Sequence, residues 1–245
     1  MKKIIITAPT SANKAYCFED WLDNTLLTVY PNYKIVLFDN SVDNGESCAY
    51  QNNYYKKKYG NGGQFECFHS NVHDGDGLIS RVWRSMEDCR THAINNGYDC
   101  ALWLETDIFI QPHFLQELVI HNLPVVGALY DTDHGKYRKL MVQQREHRAP
   151  KNVYMHNFDQ ADDVDFIDGT VKQVSHIGLG CVLINADVLK KIPFRFVKGL
   201  DMHSDSFWAE DVHQKGIKIF ADTSLICEHR NSDWLTEVYS KQNKA

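Results

Sequence analysis

The sequence predicts an α/β fold: one mostly parallel central sheet flanked by helices, in a single domain. Three observations predict it. Short apolar runs alternate with longer segments whose apolar residues recur at helical spacing. At 245 residues, 43% hydrophobic and 24% charged, the chain can bury one sizeable core. Neither an internal repeat nor a linker-like stretch divides it.

Taken in order, Lys3–Thr7 is a first buried strand. Phe18–Val29 carries Phe18, Trp21, Leu22, Thr25, Leu26 and Val29 at helical spacing. Tyr33–Phe38 is a second strand, ended by the turn-forming Asp39-Asn40-Ser41. A helix over Ser47–Tyr59 breaks at Gly60-Asn61-Gly62-Gly63, and Phe65–His69 is a short strand. Leu78–Asn95 is a long helix stopped by Asn96-Gly97. Ala101–Leu104 is a buried strand, and Pro112 opens a helix with Phe114, Leu115, Leu118 and Val119 on one face. Val125–Leu129 is another core strand. Residues 131–172 are polar and read as irregular, too long for a plain connector and therefore functional or mobile. Strand Val182–Ile184, helix Ala186–Lys191, a helix around Ser206–Lys215, and strands Ile217–Phe220 and Leu225–Cys227 complete the order. The reading divides 1–110, 111–230 and a tail 231–245.

Composition excludes several classes. No apolar run approaches the length that spans a bilayer. Met1-Lys2-Lys3-Ile4-Ile5-Ile6-Thr7-Ala8-Pro9 is too short in apolar residues for a signal-peptide core, so a cytoplasmic protein is expected. Seven cysteines, odd in number and never spaced Cys-x-x-Cys, argue for reduced thiols rather than a disulfide framework or a zinc site. A net charge of −6 argues against a broad nucleic-acid-binding surface. Lys56-Lys57-Lys58 and the tail lysines 241 and 244 read as solvated surface.

The strongest chemical signal is Glu105-Thr106-Asp107, placed where an apolar strand ends. Ligands of open α/β sheets bind at that end. Two residues apart on extended chain, both carboxylates leave on one face and can share a hard divalent cation that also bridges a diphosphate. His229, after the last strand, can add a nitrogen. A mixed oxygen and nitrogen shell suits Mn²⁺ better than Ca²⁺, with Mg²⁺ open. Arg81, opening the helix after His73-Asp74-Gly75-Asp76-Gly77, can either reach a diphosphate or form a surface ion pair. Trp208 can either stack on a sugar face or be a buried aromatic, and His176 stands just ahead of a glycine-containing stretch.

These pieces, in this order over roughly residues 3–230, resemble the GT-A glycosyltransferases, whose sheet is Rossmann-like, and especially their family 2-like branch. The resemblance implies that Thr7-Ala8-Pro9-Thr10, with Thr7 and Pro9, holds the nucleotide of a nucleotide-sugar donor, a UDP-sugar being expected. It implies that Asp39 contacts base or ribose, and that Glu105, Thr106 and Asp107 bind metal and donor. Ile177-Gly178-Leu179-Gly180-Cys181-Val182-Leu183-Ile184, with Gly180, looks like the strand beside the donor sugar. His229 matches a metal-binding histidine. Ser204-Asp205-Ser206-Phe207-Trp208 lies where such enzymes carry a Glu-Asp pair, which makes Asp205 the candidate base if configuration inverts. Glu105 stands where Asp is commoner, and Ser204 replaces the Glu.

The expected reaction is transfer from a nucleoside-diphosphate sugar to a glycan, a small molecule or a modified nucleobase. A sugar nucleotidyltransferase is one alternative. Its glycine-rich loop after strand one is replaced here by Ala8-Pro9-Thr10-Ser11-Ala12-Asn13. A noncatalytic sugar-binding module on the same fold is the other. Part of 131–172, with His134, His147 and His156, is expected to be an acceptor-side or donor-covering loop. The segment Arg230–Tyr239, with Trp234, Leu235 and Val238, is either a lid, with Arg230 at the diphosphate, or a docked terminal helix.

Overall fold

The computed structural model describes residues 1–73, 75–133, 138–144, 159–160, 166–199 and 204–230. Its centre is an eight-stranded sheet. Strand β1 (Ile4–Thr10) lies between β2 (Tyr33–Asp39) and β4 (Cys100–Leu104), and β3 (Phe65–His69) forms the edge beyond β2. These four strands are parallel to one another. Ile4, Ile5 and Ile6 are each fully buried, as strands covered by helices on both faces must be.

The other half of the sheet runs from β4 to β13 (Cys181–Asn185), β6 (Val125–Leu129), β14 (Ile219–Ile226) and the edge strand β11 (Val171–Val174). Here β13 is antiparallel to both neighbours, β14 is parallel to β6, and β11 is antiparallel to β14. The sheet is thus mostly parallel, as expected from the alternating pattern.

Six α-helices are described: α1 (Ala15–Thr25), α2 (Glu46–Tyr59), α3 (Leu78–Asn95), α4 (Phe114–Ile120), α5 (Ala186–Lys191) and α6 (Ser204–Gln214). The first follows a 3₁₀ turn at Ala12–Lys14. Helix α3 packs on β1 and β2 through Ser85, Met86, Cys89 and Ala93, one buried face at helical spacing. It ends at Asn96, and Gly97 then takes φ +64°, the left-handed conformation that lets the chain leave the helix toward β4. Helix α5 starts on Asn185, whose side chain accepts a hydrogen bond from the Asp187 amide.

Two expectations are corrected. Residues 131–172 hold short strands rather than irregular chain alone: β7 (Asp131–Asp133) pairs with β8 (Arg138–Leu140), and β9 (Val142–Gln144) with β10 (Asp159–Gln160). Strand β12 (His176–Ile177) lies on the other side of β9. Leu140 and Val142 on β8 and β9, and Ile177 on β12, turn into the core. The two strands read at Ile217–Phe220 and Leu225–Cys227 are one strand, β14, whose register shifts between Asp222 and Ile226. Asp222 interrupts the apolar run yet is itself buried, accepting from the Ser224 amide and hydroxyl and pairing with His121 at 2.6 Å. His134, His147, His156 and 231–245, with Trp234, Leu235 and Val238, lie outside the described residues. Among the described residues, no helix is long and apolar enough to cross a membrane. All seven cysteines are buried and unbridged.

Candidate active site

The candidate site lies beyond the carboxyl ends of β1, β2, β3 and β4. Register puts Thr10, Asp39 and His69 side by side at those ends. Strand β4 stops at Leu104 because the next residues turn: the Glu105 amide donates to Gly180 O, in the turn just before β13, and the Ile108 amide donates to Glu105 O. The chain then enters β5 (Ile108–Phe109), which pairs antiparallel with β15 (Glu228–His229) and sets His229 opposite Ile108. That small ladder, absent from the sequence reading, carries the histidine to the acidic turn.

Asp107 is almost fully buried, with a side chain 1% exposed. One of its oxygens, Oδ2, takes the ammonium of Lys14 and lies 3.4 Å from His229 Nε2. The other, Oδ1, is buried with no hydrogen-bond partner. His229 Nδ1 is 2.6 Å from the Asp131 carbonyl, to which it can only donate. The ring, edge-on to Tyr130, therefore turns Nε2 toward the acid.

Electrostatics follow the packing. Burial raises the Glu105 carboxyl above its ordinary range, against the pull of Lys14. Burial also opposes ionisation of Asp107, but His229 and Lys14 outweigh it and hold that carboxyl low. The same pairing raises His229 and Lys14 despite their own burial.

The remaining predicted residues divide. Asp39 is fully buried; one oxygen accepts from Ser41 Oγ at 2.6 Å and the other lies 2.9 Å from His69 Nδ1. Beside it, a cleft of about 280 Å³ is lined by Ser41, Val42, Asn44, His69, Val72 and His73. Arg81 reaches the same edge, donating to Asn40 O at 3.0 Å. Pro9 is partly exposed there, whereas Thr7 is fully buried in mid-strand, its side chain against Cys89 of α3. Thr106 is also fully buried, its hydroxyl 3.4 Å from that of Thr10 and its carbonyl accepting from Cys17 Sγ. The Thr7 and Thr106 side chains are thus both packed inside the fold.

Gly180 has a packing reason. Its amide donates to Tyr130 Oη at 3.1 Å, and a Cβ there would stand 2.5 Å from Tyr130 Cζ. Asp205 sits half-buried in the first turn of α6, accepting from the Ser206 amide at 2.7 Å, and its charge acts on Glu105 and His176. His176 is buried on β12. Trp208 is 1% exposed and stacked on Phe194, which makes it core, not a sugar platform. Arg230 lies over the Phe109 ring and bonds Glu228 and Asp20.

Among the described residues, Glu105, Asp107 and His229 do not bring three ligand atoms within 4.8 Å of one another; Asp39, Asp43 and His69 do. The larger cavity, about 500 Å³ around Tyr98 and Asn185, is at the opposite end of the strands and touches none of these groups. Sequence reasoning missed Lys14 and Tyr130. Lys14 follows strand one, where ligand-binding loops lie, so its position carried a signal; Tyr130 carried none.

Neither a known family profile nor a curated protein matches the sequence. Solved structures do match it. S. aureus TarS with UDP-GlcNAc aligns over 93% of this chain at a TM-score of 0.58 and 14% identity. GalNAc-T7 with UDP, GalNAc and Mn²⁺ aligns over 94% at 0.61 and 10% identity. A second structure of S. aureus TarS aligns over 96% at 0.54 and 14% identity. This chain spans only 59%, 44% and 63% of those chains, respectively. The fold is GT-A, as the resemblance implied.

Proposed function

We propose that the protein is a glycosyltransferase that takes its sugar from a nucleoside-diphosphate sugar, a UDP-sugar first of all, with Mn²⁺ or Mg²⁺ at the acidic turn. The observation that carries this is Asp107: a buried carboxylate at the carboxyl edge of the sheet, with one oxygen unpartnered and an oriented histidine nitrogen beside the other. A buried anion without a partner on one oxygen is costly, and a cation relieves it. The neighbours on this fold support the donor class, since one is described with UDP-GlcNAc and another with UDP, GalNAc and Mn²⁺.

Asp107 and His229 would hold the ion, with Glu105 turning in to join them. When bound, it would neutralise charge on the departing diphosphate. Asp39, Ser41 and the cleft beside His69 would take the nucleoside, with Pro9 and Arg81 at its rim; Thr7, Thr106 and Gly180 would act from behind as packing. If configuration inverts, Asp205 would accept the proton of the acceptor hydroxyl. The acceptor is a glycan, a small molecule or a modified nucleobase, and the reaction is cytoplasmic. The division at 110 into nucleotide-side and acceptor-side halves belongs to the same reading.

Asp39, Asp43 and His69 are a second place for a cation. Their oxygens are already engaged, Asp39 by Ser41 and His69, and Asp43 by Ser47 and the Gly45 amide. Asp107 has the unsatisfied oxygen, and the ion is assigned there. The test is a panel of UDP-, GDP-, CDP- and dTDP-sugars with Mn²⁺, read by melting temperature. A ligand at 100 times its dissociation constant adds about 2.7 kcal/mol. A shift with one base is expected; no shift with any would end the reading.

A further inference from the structure

We propose that Lys14 is a phosphate ligand held in reserve: its ammonium covers Asp107 until a divalent ion takes the acidic turn, and is then handed to the diphosphate of the sugar donor. The inference rests on the donor-site reading above and adds a residue to it.

Position comes first. Lys14 closes the 3₁₀ turn that follows β1, at the sheet edge shared by Thr10 and Asp39. The turn is fixed from three sides. The Lys14 amide donates to Ser11 O, the Ala12 amide to Ser41 Oγ, and Cys17 Sγ to Thr106 O on the acidic turn. Only the side chain is left to move, and a four-carbon stem with three rotatable donors moves readily. The Lys14 side chain is 23% exposed and Asp107 is 1% exposed, so the lysine keeps part of its stem in solvent while its ammonium lies on the buried acid.

Charge then decides where the ammonium goes. It occupies Oδ2 while Oδ1 has no partner, so one lysine leaves the carboxylate half satisfied. A divalent ion binding both acids would stand a few ångströms from the ammonium, and like charges at that range repel strongly in a site so shielded from water. The donor's diphosphate is the only new anion arriving, and an ammonium suits phosphate oxygens as a point charge. The nearby guanidinium is in use elsewhere: Arg230 is bonded to Glu228 and Asp20 and lies on Phe109.

Calorimetry on the full chain tests this with Mn²⁺ alone and with UDP at saturating Mn²⁺. Lys14→Met is expected to bind Mn²⁺ alone at least about threefold more tightly than wild type, because its competitor is gone. It is expected to bind UDP about 10- to 100-fold more weakly once Mn²⁺ is present. Lys14→Arg, which keeps the charge, is expected to hold UDP affinity within a few-fold. Should Lys14→Met melt far below wild type, Lys14→Gln takes its place. Mn²⁺ affinity that does not rise, or UDP affinity that does not fall, overturns the proposal: Lys14 is then a fixed ion pair. Wild-type protein that binds neither Mn²⁺ nor UDP overturns the donor-site reading itself, and that outcome is visible before any variant is made.

Discussion

Asp107 concentrates the argument at the scale of a residue. It is buried, held ionised by His229 and Lys14 against the cost of its burial, and left with one unsatisfied oxygen. Asp107→Asn keeps the shape and removes the charge. We expect turnover to fall at least about 10²-fold, the range for losing a group that stabilises developing charge. Steady-state rates of UDP release in Mn²⁺ check it, and full activity would remove Asp107 from the chemistry. Asp205→Asn is expected to slow the chemical step by about 10²–10⁴-fold with sugar-donor affinity nearly unchanged. An unchanged rate at saturating acceptor would return Asp205 to capping its own helix. The sequence made Asp107 and His229 legible because each ends an apolar strand. It did not reveal the link between them, since the β5–β15 ladder is two residues long and has no periodicity to read. Lys14 was hidden for another reason. Its partner is 93 positions away, and an isolated lysine after a strand looks like any surface lysine.

At the scale of elements, glycines and buried acids carry the predictions. The reading of Ile177–Ile184 as one glycine-containing strand is corrected: Gly178 to Gly180 turn the chain from β12 into β13, and the need for glycine there is set by the Tyr130 ring between β6 and β7. Gly180→Ala should destabilise the fold by about 1–3 kcal/mol through overpacking, seen as a lowered denaturation midpoint. An unchanged midpoint would mean the ring moves aside at no cost. Strand β14 was split in the reading because Asp222 sits in its middle. Burial acts against ionisation of that carboxyl, while Ser224 and His121 outweigh it and hold its pKa below the ordinary value. A depressed folded-state pKa stabilises above the unfolded value, near 3.9, and the benefit fades as pH falls through the lower folded value. Asp222→Asn should therefore be less stable than wild type at pH 7, with the gap closing below about pH 4. Urea denaturation at both pH values checks the sign; a gap that widens in acid would contradict it.

For the whole molecule, the alternation of strands and helices gave the layers and most of the element order. It could not give the antiparallel insertion of β13 between β4 and β6, because a fully buried strand reads the same in either direction. Nor could it find the small ribbons of 131–144, whose strands are three residues long and too short to show a period. The arrangement that results opens the edges of β1, β2, β3 and β4 on one side, with Lys14, Asp39, Asp107 and His229 gathered there. The most direct test of the account is UDP release from UDP-sugars by the wild-type chain, with Mn²⁺ and then with excess chelator. The account predicts release with Mn²⁺, its loss on chelation, and its return when Mn²⁺ or Mg²⁺ is restored. Release that continues undiminished in chelator, or no release from any UDP-sugar under either condition, would contradict it.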